Sequence, residues 1–107
     1  MRKRKIKPFF TMNKKNGHPA FVYKENETHY YFIGLTHAKI TQGIKNIKLR
    51  QNPNINDKRT SYARPFSDIY EKTKFRKRKY KNWKNWKSNK KILRKIKKKI
   101  KKHDIET

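Results

Sequence analysis

Acidic side chains are absent from both flanks of this chain and present in its middle, and that partition decides where a core is expected. Residues 1–16 carry 7 basic and no acidic side chains, and residues 72–103 carry 18 basic and none acidic. Residues 17–71 carry 8 basic and 5 acidic, a balance of +3 within a chain of 107 residues whose formal charge is +26. Like charges crowded into a flank repel one another and oppose compaction, so the near-neutral middle is the segment expected to fold. It holds Phe21, Val22, Tyr23, Tyr31, Phe32, Ile33, Leu35, Ile47, Leu49, Tyr62 and Phe66, enough for one small core. The expected division is a basic arm over 1–16, a small β domain over 17–75 and a Lys-rich, aromatic-containing helical tail over 76–107.

Single-sign flanks make most sense beside a polyanion, and for a protein of this kind that means nucleic acid, RNA or else DNA. Coding bias is the plain alternative, because 25 of the 33 basic residues are Lys. Bias inflates the count but does not explain why acids are excluded from the ends alone. The chain has no Cys, which removes disulfides, cysteine-based zinc sites and a thiol nucleophile. No apolar run approaches a membrane span, and "MRKRKIKPFF" starts charged with no apolar stretch behind it, so a cytoplasmic protein is expected. A polybasic tail containing Trp also suits an anionic membrane surface or an acidic protein partner.

Local pattern gives the elements. Pro8 argues against helix in the first flank. "NGHP", from Asn16, is a turn signal followed by the β-rich "AFVYK"; "ENET" is polar, and "HYYFIGLT" resumes the strand pattern, so residues 20–36 read as a hairpin. Gly34 inside the second strand marks a bulge, a bend or a place where another backbone or a ligand comes close. A polar connection through Thr41, Gln42 and Gly43 leads to "IKNIKL", a third strand with Ile47 and Leu49 on one face. "RQNPNINDKR" is loop chemistry, and "TSYARPF" is a short strand ended by Pro65. Short aromatic strands linked by Gly, Pro and Asn loops predict a mainly β fold of the small-barrel type. Trp86, Leu93 and Ile100 then recur at heptad spacing beside Trp83, Ile92 and Ile96, predicting a basic amphipathic helix over about 82–102. Its stripe is expected to pack on the barrel.

Cations interleaved with aromatic rings in "RKRKYKNWKNWK" suit phosphate neutralisation and base stacking. Candidate nucleic-acid contacts are accordingly Arg76, Lys77, Arg78, Lys79, Trp83 and Trp86, with Arg2, Lys3, Arg4 and Lys5 of the arm and Arg64 of the domain. Trp at that spacing is more often core than base-stacker.

No pair of acids flanks an apolar strand as an acid/base couple. His18, His29, His37 and His103 show no metal-ligand spacing, and the 3 Gly residues are not clustered into a phosphate loop, so neither metal nor cofactor is expected. The remaining kit of His, Thr, Lys and Arg suits one reaction. RNA carries its own nucleophile, the 2′-hydroxyl, so a ribonuclease need supply only proton transfer and cations for the developing phosphorane charge. His is fitted to both proton roles near neutral pH. The hairpin register places His18 and His37 at one end, beside Thr36 and Lys39, and these four are the candidate catalytic residues. Taken singly, a His before Pro is a common capping residue and Thr-His a common turn.

"GHPAFVY…YYFIGLTHAK…IKNIKL…SYARPF" resembles the PemK/MazF-like toxin superfamily over roughly residues 17–70, and is also similar to the ToxN-like toxins around the strand ending in Leu-Thr. The resemblance implies a small SH3-like barrel acting as a metal-independent endoribonuclease on single-stranded RNA. An antitoxin, acidic protein or RNA, is the implied partner, and a dimer one option. Thr36 matches the family's active-site Thr; His18 stands where the PemK/MazF branch has a catalytic Arg, His37 where Ser follows the Thr, and Lys39 matches a Lys of the ToxN-like branch. Replacing Arg by His removes a bidentate phosphate clamp and adds a proton carrier. The alternative function is a non-catalytic basic nucleic-acid-binding protein: an RNA chaperone, a ribosome-associated factor or a DNA-packaging protein.

Overall fold

The computed structural model describes residues 4–54, 56–80, 83 and 89–99. The fold is mainly β. Three long strands, β1 (Arg4–Asn13), β2 (His18–Glu25) and β3 (His29–Thr36), form an antiparallel meander. Short strands follow: β4 (Ile40–Thr41), β5 (Ile44–Lys45), β6 (Ile47–Lys48), β7 (Tyr62–Ala63) and β8 (Asp68–Glu71), then a 3₁₀ turn at Lys72–Lys74 and one helix, α1 (Lys90–Lys97). Six of the strands make one sheet in the order β1-β2-β3-β7-β6, with β8 beside the first half of β3, while β4 and β5 pair only with each other. No helix among the described residues is long and apolar enough to cross a membrane.

The meander forms where its turns are specified. Gly17, at φ +71°, closes the first turn with its N–H on the Asn13 carbonyl at 2.8 Å. In the second, Asn26 Oδ1 accepts from the N–H groups of Thr28 and His29 at 2.9 and 2.8 Å, an Asx turn. Ala20, Phe21, Val22 and Tyr23 are all buried in succession, so β2 is covered on both faces and reads as a continuous apolar run. On one face Phe10, Phe21, Tyr23, Tyr31, Ile33 and Leu35 meet Leu49, Ala63, Leu93 and Ile96. On the other, Ala20, Val22 and Phe32 meet Phe75, with Phe9, Tyr30 and Tyr70 against them.

The first flank is not an arm over residues 4–13. Its charges are interleaved with Ile6, Phe9, Phe10 and Thr11, and pairing Phe10 with Phe21 puts the apolar ones inside. Register shifts between Lys5 and Phe9, a bulge that accommodates Pro8. Beyond the 3₁₀ turn the chain runs antiparallel along the other edge of β1: Arg76 N–H donates to the Met12 carbonyl at 2.9 Å and Tyr80 N–H to that of Phe10 at 2.8 Å. The fully buried Thr11 hydroxyl lies 2.9 and 2.8 Å from the carbonyls of Arg76 and Arg78.

The expected third strand is broken at Asn46, which is buried and leaves Ile44 and Ile47 exposed while Leu49 turns inward. Of the helix expected over about 82–102, the described residues show Lys90–Lys97, while 82, 84–88 and 100–102 fall outside the described residues. Trp83 lies outside it, and the ring instead packs on Tyr80 at 4.6 Å and Phe10 at 5.7 Å between centroids. Asn89, just before the helix, is wholly buried and turns its side chain away from capping and onto the loop after β6. Its Oδ1 accepts from Arg50 N–H at 2.8 Å and Gln51 N–H at 3.3 Å, and its Nδ2 donates to the Gln51 carbonyl at 2.8 Å. Leu93 and Ile96 carry the stripe into the core. Asn89→Ala removes all three of these hydrogen bonds at a buried position, an expected loss of about 3 kcal/mol measurable by denaturant unfolding.

Candidate active site

The β2–β3 register pairs Ala20 with Gly34, so two residues further along each strand His18 and Thr36 stand on one face at the hairpin's end. Both line a cleft of about 390 Å³. His18 opens β2 opposite Asn13, its N–H on Asn16 Oδ1 at 2.9 Å, and its ring is exposed. Thr36 is 8% exposed, and its hydroxyl oxygen accepts the Ala38 N–H at 3.1 Å, which leaves the hydroxyl proton available.

Arg64 enters the same cleft from the chain after β7. Its N–H donates to the Gly34 carbonyl at 2.9 Å, and its side chain crosses Gly34 so closely that a Cβ there would lie 3.2 Å from Arg64 Cγ. What comes close to this glycine is a side chain, not the backbone or ligand the sequence suggested, and β3 changes partner around it, from β8 up to Phe32 to β7 from Leu35. Asn46 Oδ1 accepts from Arg64 Nη1 at 2.8 Å, with the Thr41 carbonyl 3.4 Å from the same nitrogen. The guanidinium lies 4.9 Å from the Phe66 ring centroid. Burial pulls the Arg64 pKa down, opposed by the Asp68 charge, yet a guanidinium remains a cation at neutral pH.

Asn46 is the hub of this corner. Its Nδ2 donates to Thr41 Oγ1 at 2.7 Å and the Ala38 carbonyl at 3.0 Å, and its N–H to the Lys39 carbonyl at 2.9 Å. It thereby ties the β4–β5 hairpin to Arg64. The hairpin turns at Gln42 and Gly43, φ +50° and +76°, the twin positive angles of a type I′ turn. Buried Asp68 is the acid of the cleft, with Ile69 N–H on its Oδ1 at 2.9 Å. Burial, aided by Asp68, raises the Tyr70 hydroxyl pKa, so that phenol stays neutral. The Lys15 ammonium lies 4.5 Å from the Tyr70 ring centroid at the same cleft.

His37 points elsewhere. Its Nδ1 lies 3.2 Å from the Thr60 carbonyl and its Nε2 3.2 Å from Asp57 Oδ2, on the side of the 50–60 loop. Both partners are acceptors, so the ring makes both bonds at once only as the imidazolium. Lys39 is exposed and is not among the residues lining the His18 cleft. The four candidates therefore divide into His18 with Thr36 and, apart from them, His37 and Lys39. Arg76, Lys77, Arg78 and Lys79 are exposed along the β1 edge, with the Lys79 ammonium 4.4 Å from the Phe9 ring centroid. Arg4 and Lys5 lie in β1, while Arg2, Lys3 and Trp86 fall outside the described residues.

Sequence reasoning misses Asn13, Lys15, Asn46, Asp68 and Tyr70 as lining or support of this corner. A polar Asn inside the apolar "IKNIKL" is the signal for Asn46. Asp57, which the sequence offers only as loop chemistry, anchors His37. The Arg59 guanidinium, by hydrogen bonds of 3.0 Å from Nε and Nη2, holds its carboxyl down to about 2 from 3.8. A depressed carboxylate contributes stability that is full above pH 3.8 and is lost as pH falls through about 2. The loop amides are accordingly expected to keep their NMR shifts down to pH 4 and to change below it, and Asp57→Asn to abolish that transition.

No protein-family model, curated protein or solved structure matches this chain.

Proposed function

We propose that this chain is a cytoplasmic RNA-binding protein on a small SH3-like barrel, and that it cleaves single-stranded RNA without a metal ion. Support for a closed barrel comes from β3, whose outer edge is shared by β8 and β7, and from the chain beyond β8, which reaches the far edge of β1 through the Phe75–Asn13 bridge. The observation that carries the function is the meeting of His18, Thr36 and Arg64, from three separate stretches, at one cleft.

His18 takes the proton of the 2′-hydroxyl as that oxygen attacks phosphorus. The new P–O2′ bond forms, the P–O5′ bond breaks, and the 5′-oxygen leaves with a proton from solvent at the open mouth of the cleft. The products are a 2′,3′-cyclic phosphate and a 5′-hydroxyl. Arg64 and the Thr36 hydroxyl hold the non-bridging oxygens as charge develops on them. Arg64 thus replaces the guanidinium that the resemblance places at position 18. The exposed cations at 76–79 grip the flanking phosphates.

The engagement of His37 with Asp57 and Thr60 favours a second reading, because it leaves one imidazole at the cleft: a non-catalytic RNA-binding protein. Incubation with labelled single-stranded RNA in EDTA separates the two. Discrete fragments support the enzyme, and retained but intact RNA supports the binder.

A further inference from the structure

A second cleft, of about 350 Å³, opens on the far side of the β3 end, between β6 and the 50–61 loop. Thr36 lines the first cleft and the adjacent His37 reaches Asp57 and Thr60, which line the second, so the two are separated by the end of one strand. Lys48, Arg50, Lys58 and Arg59 bring four cations to it. Among the described residues its one acid is Asp57, already paired by Arg59 and His37. The surplus is positive.

The stretches 50–54 and 56–61, which carry Arg50, Lys58 and Arg59, are braced. Asn52 Oδ1 accepts from Asn54 N–H at 2.9 Å, Asn52 Nδ2 donates to the Arg59 carbonyl at 3.1 Å, and Asp57 Oδ1 accepts from Arg59 N–H at 3.0 Å. Asn89 fixes the start of the loop from within the core. Cations on a pre-ordered backbone bind an anion without first having to order the loop. No aromatic ring among the described residues lines the cleft, so it offers nothing there for a base to stack on. Contacts of that kind position a strand and carry no sequence information.

We infer that the 50–61 loop cleft is a phosphodiester subsite for single-stranded RNA, with Arg50 and Lys58 as its principal contacts, adjoining the His18 cleft across the end of β3. The inference rests on the RNA-directed reading above, but not on cleavage. It assigns His37 to holding the loop through Asp57, a positioning role.

The test uses a short 2′-O-methyl oligoribonucleotide, which lacks the 2′-nucleophile and is bound without being cut. Titrated into the full chain, it is expected to shift the NMR amides of Arg50, Lys58, Thr60 and Ser61 together with those of Gly34, Thr36 and Arg64. R50Q/K58Q, both exposed positions, is expected to lose the first set of shifts and keep the second. The salt dependence of binding is expected to flatten by about 1.4 in log–log slope, two contacts at roughly 0.7 each, while R50K/K58R keeps the wild-type slope. Shifts confined to the His18 cleft, or a slope unchanged in R50Q/K58Q, would overturn the subsite. Shifts at both clefts with unmodified RNA left uncut would uphold the subsite and remove the nuclease. No shifts anywhere would remove both.

Discussion

Leu93→Ala is expected to destabilise the whole protein by about 3 kcal/mol and to lower Tm by roughly 12 °C, although Leu93 belongs to a helix of eight residues in an acid-free flank. Five cations among the eight residues of α1 repel at helical neighbour spacing, so the helix has little reason to form alone. It is held by what it buries. Leu93 and Ile96 are each 2% exposed and sit in the same cluster as Phe10, Phe21 and Ile33. Its ends are pinned by polar contacts: Asn89 on the 50–51 backbone, and Ser67 N–H on the Lys99 carbonyl at 2.7 Å. Truncating Leu93 therefore removes buried methyl groups from the main core and opens a cavity there. Exposed Lys91→Ala, on the same helix, is expected to change Tm by no more than about 2 °C. Thermal unfolding by circular dichroism checks both, and a Leu93→Ala protein as stable as wild type would detach the helix from the core.

Arg64→Ala is expected to lower RNA cleavage by at least about 100-fold in kcat with a much smaller change in KM. In the proposed mechanism the guanidinium meets charge that appears only as the phosphorane forms. Its position is over-determined, by Asn46 on Nη1, the Phe66 ring beside it and the missing side chain of Gly34 beneath it. Arg64→Lys keeps a cation but loses the fork, and is expected to recover only part of the rate. Gly34→Val keeps Arg64 yet displaces it, since its Cβ alone would stand 3.2 Å from Cγ. Loss of rate in Gly34→Val with a normal Tm separates positioning of the guanidinium from its mere presence. Equal losses in kcat and affinity across all three variants would instead mark Arg64 as a general phosphate contact.

The β2–β3 hairpin is legible in the sequence because its signals are local. A turn signal at Asn16-Gly17 that starts β2, the polar "ENET" between two apolar strand runs, and the register that follows are enough to bring His18 and Thr36 to one end, and a glycine in the second strand marks that end as irregular. The flanks mislead, because net charge is a property of a whole segment and burial is a property of one face. In β1 and α1 the cations lie beside Phe10, Thr11, Leu93 and Ile96, which carry the burial. His37 departs from its expected place for a different reason: its ring is drawn off by Asp57, twenty residues further along, through a loop whose path depends on Asn89. Arg64 reads in the sequence only as a nucleic-acid contact, because its approach to Gly34 follows from the β3–β7 pairing, which short, weakly patterned strands do not reveal. The Gln42-Gly43 turn lacks the Asn or Asp that usually marks a type I′ hairpin.

The proposed metal-free site for RNA transphosphorylation, built from His18, Thr36 and Arg64, would have a chemical signature that a binding protein cannot imitate. That signature is read from the ends produced when purified protein meets labelled single-stranded RNA in EDTA. The expected fragments end in 2′,3′-cyclic phosphate, are abolished when the nucleotide 5′ to the scissile bond is 2′-deoxy, and are sharply reduced in His18→Ala and Arg64→Ala. RNA that is bound but stays whole, or fragments produced equally by His18→Ala, would rule the site out.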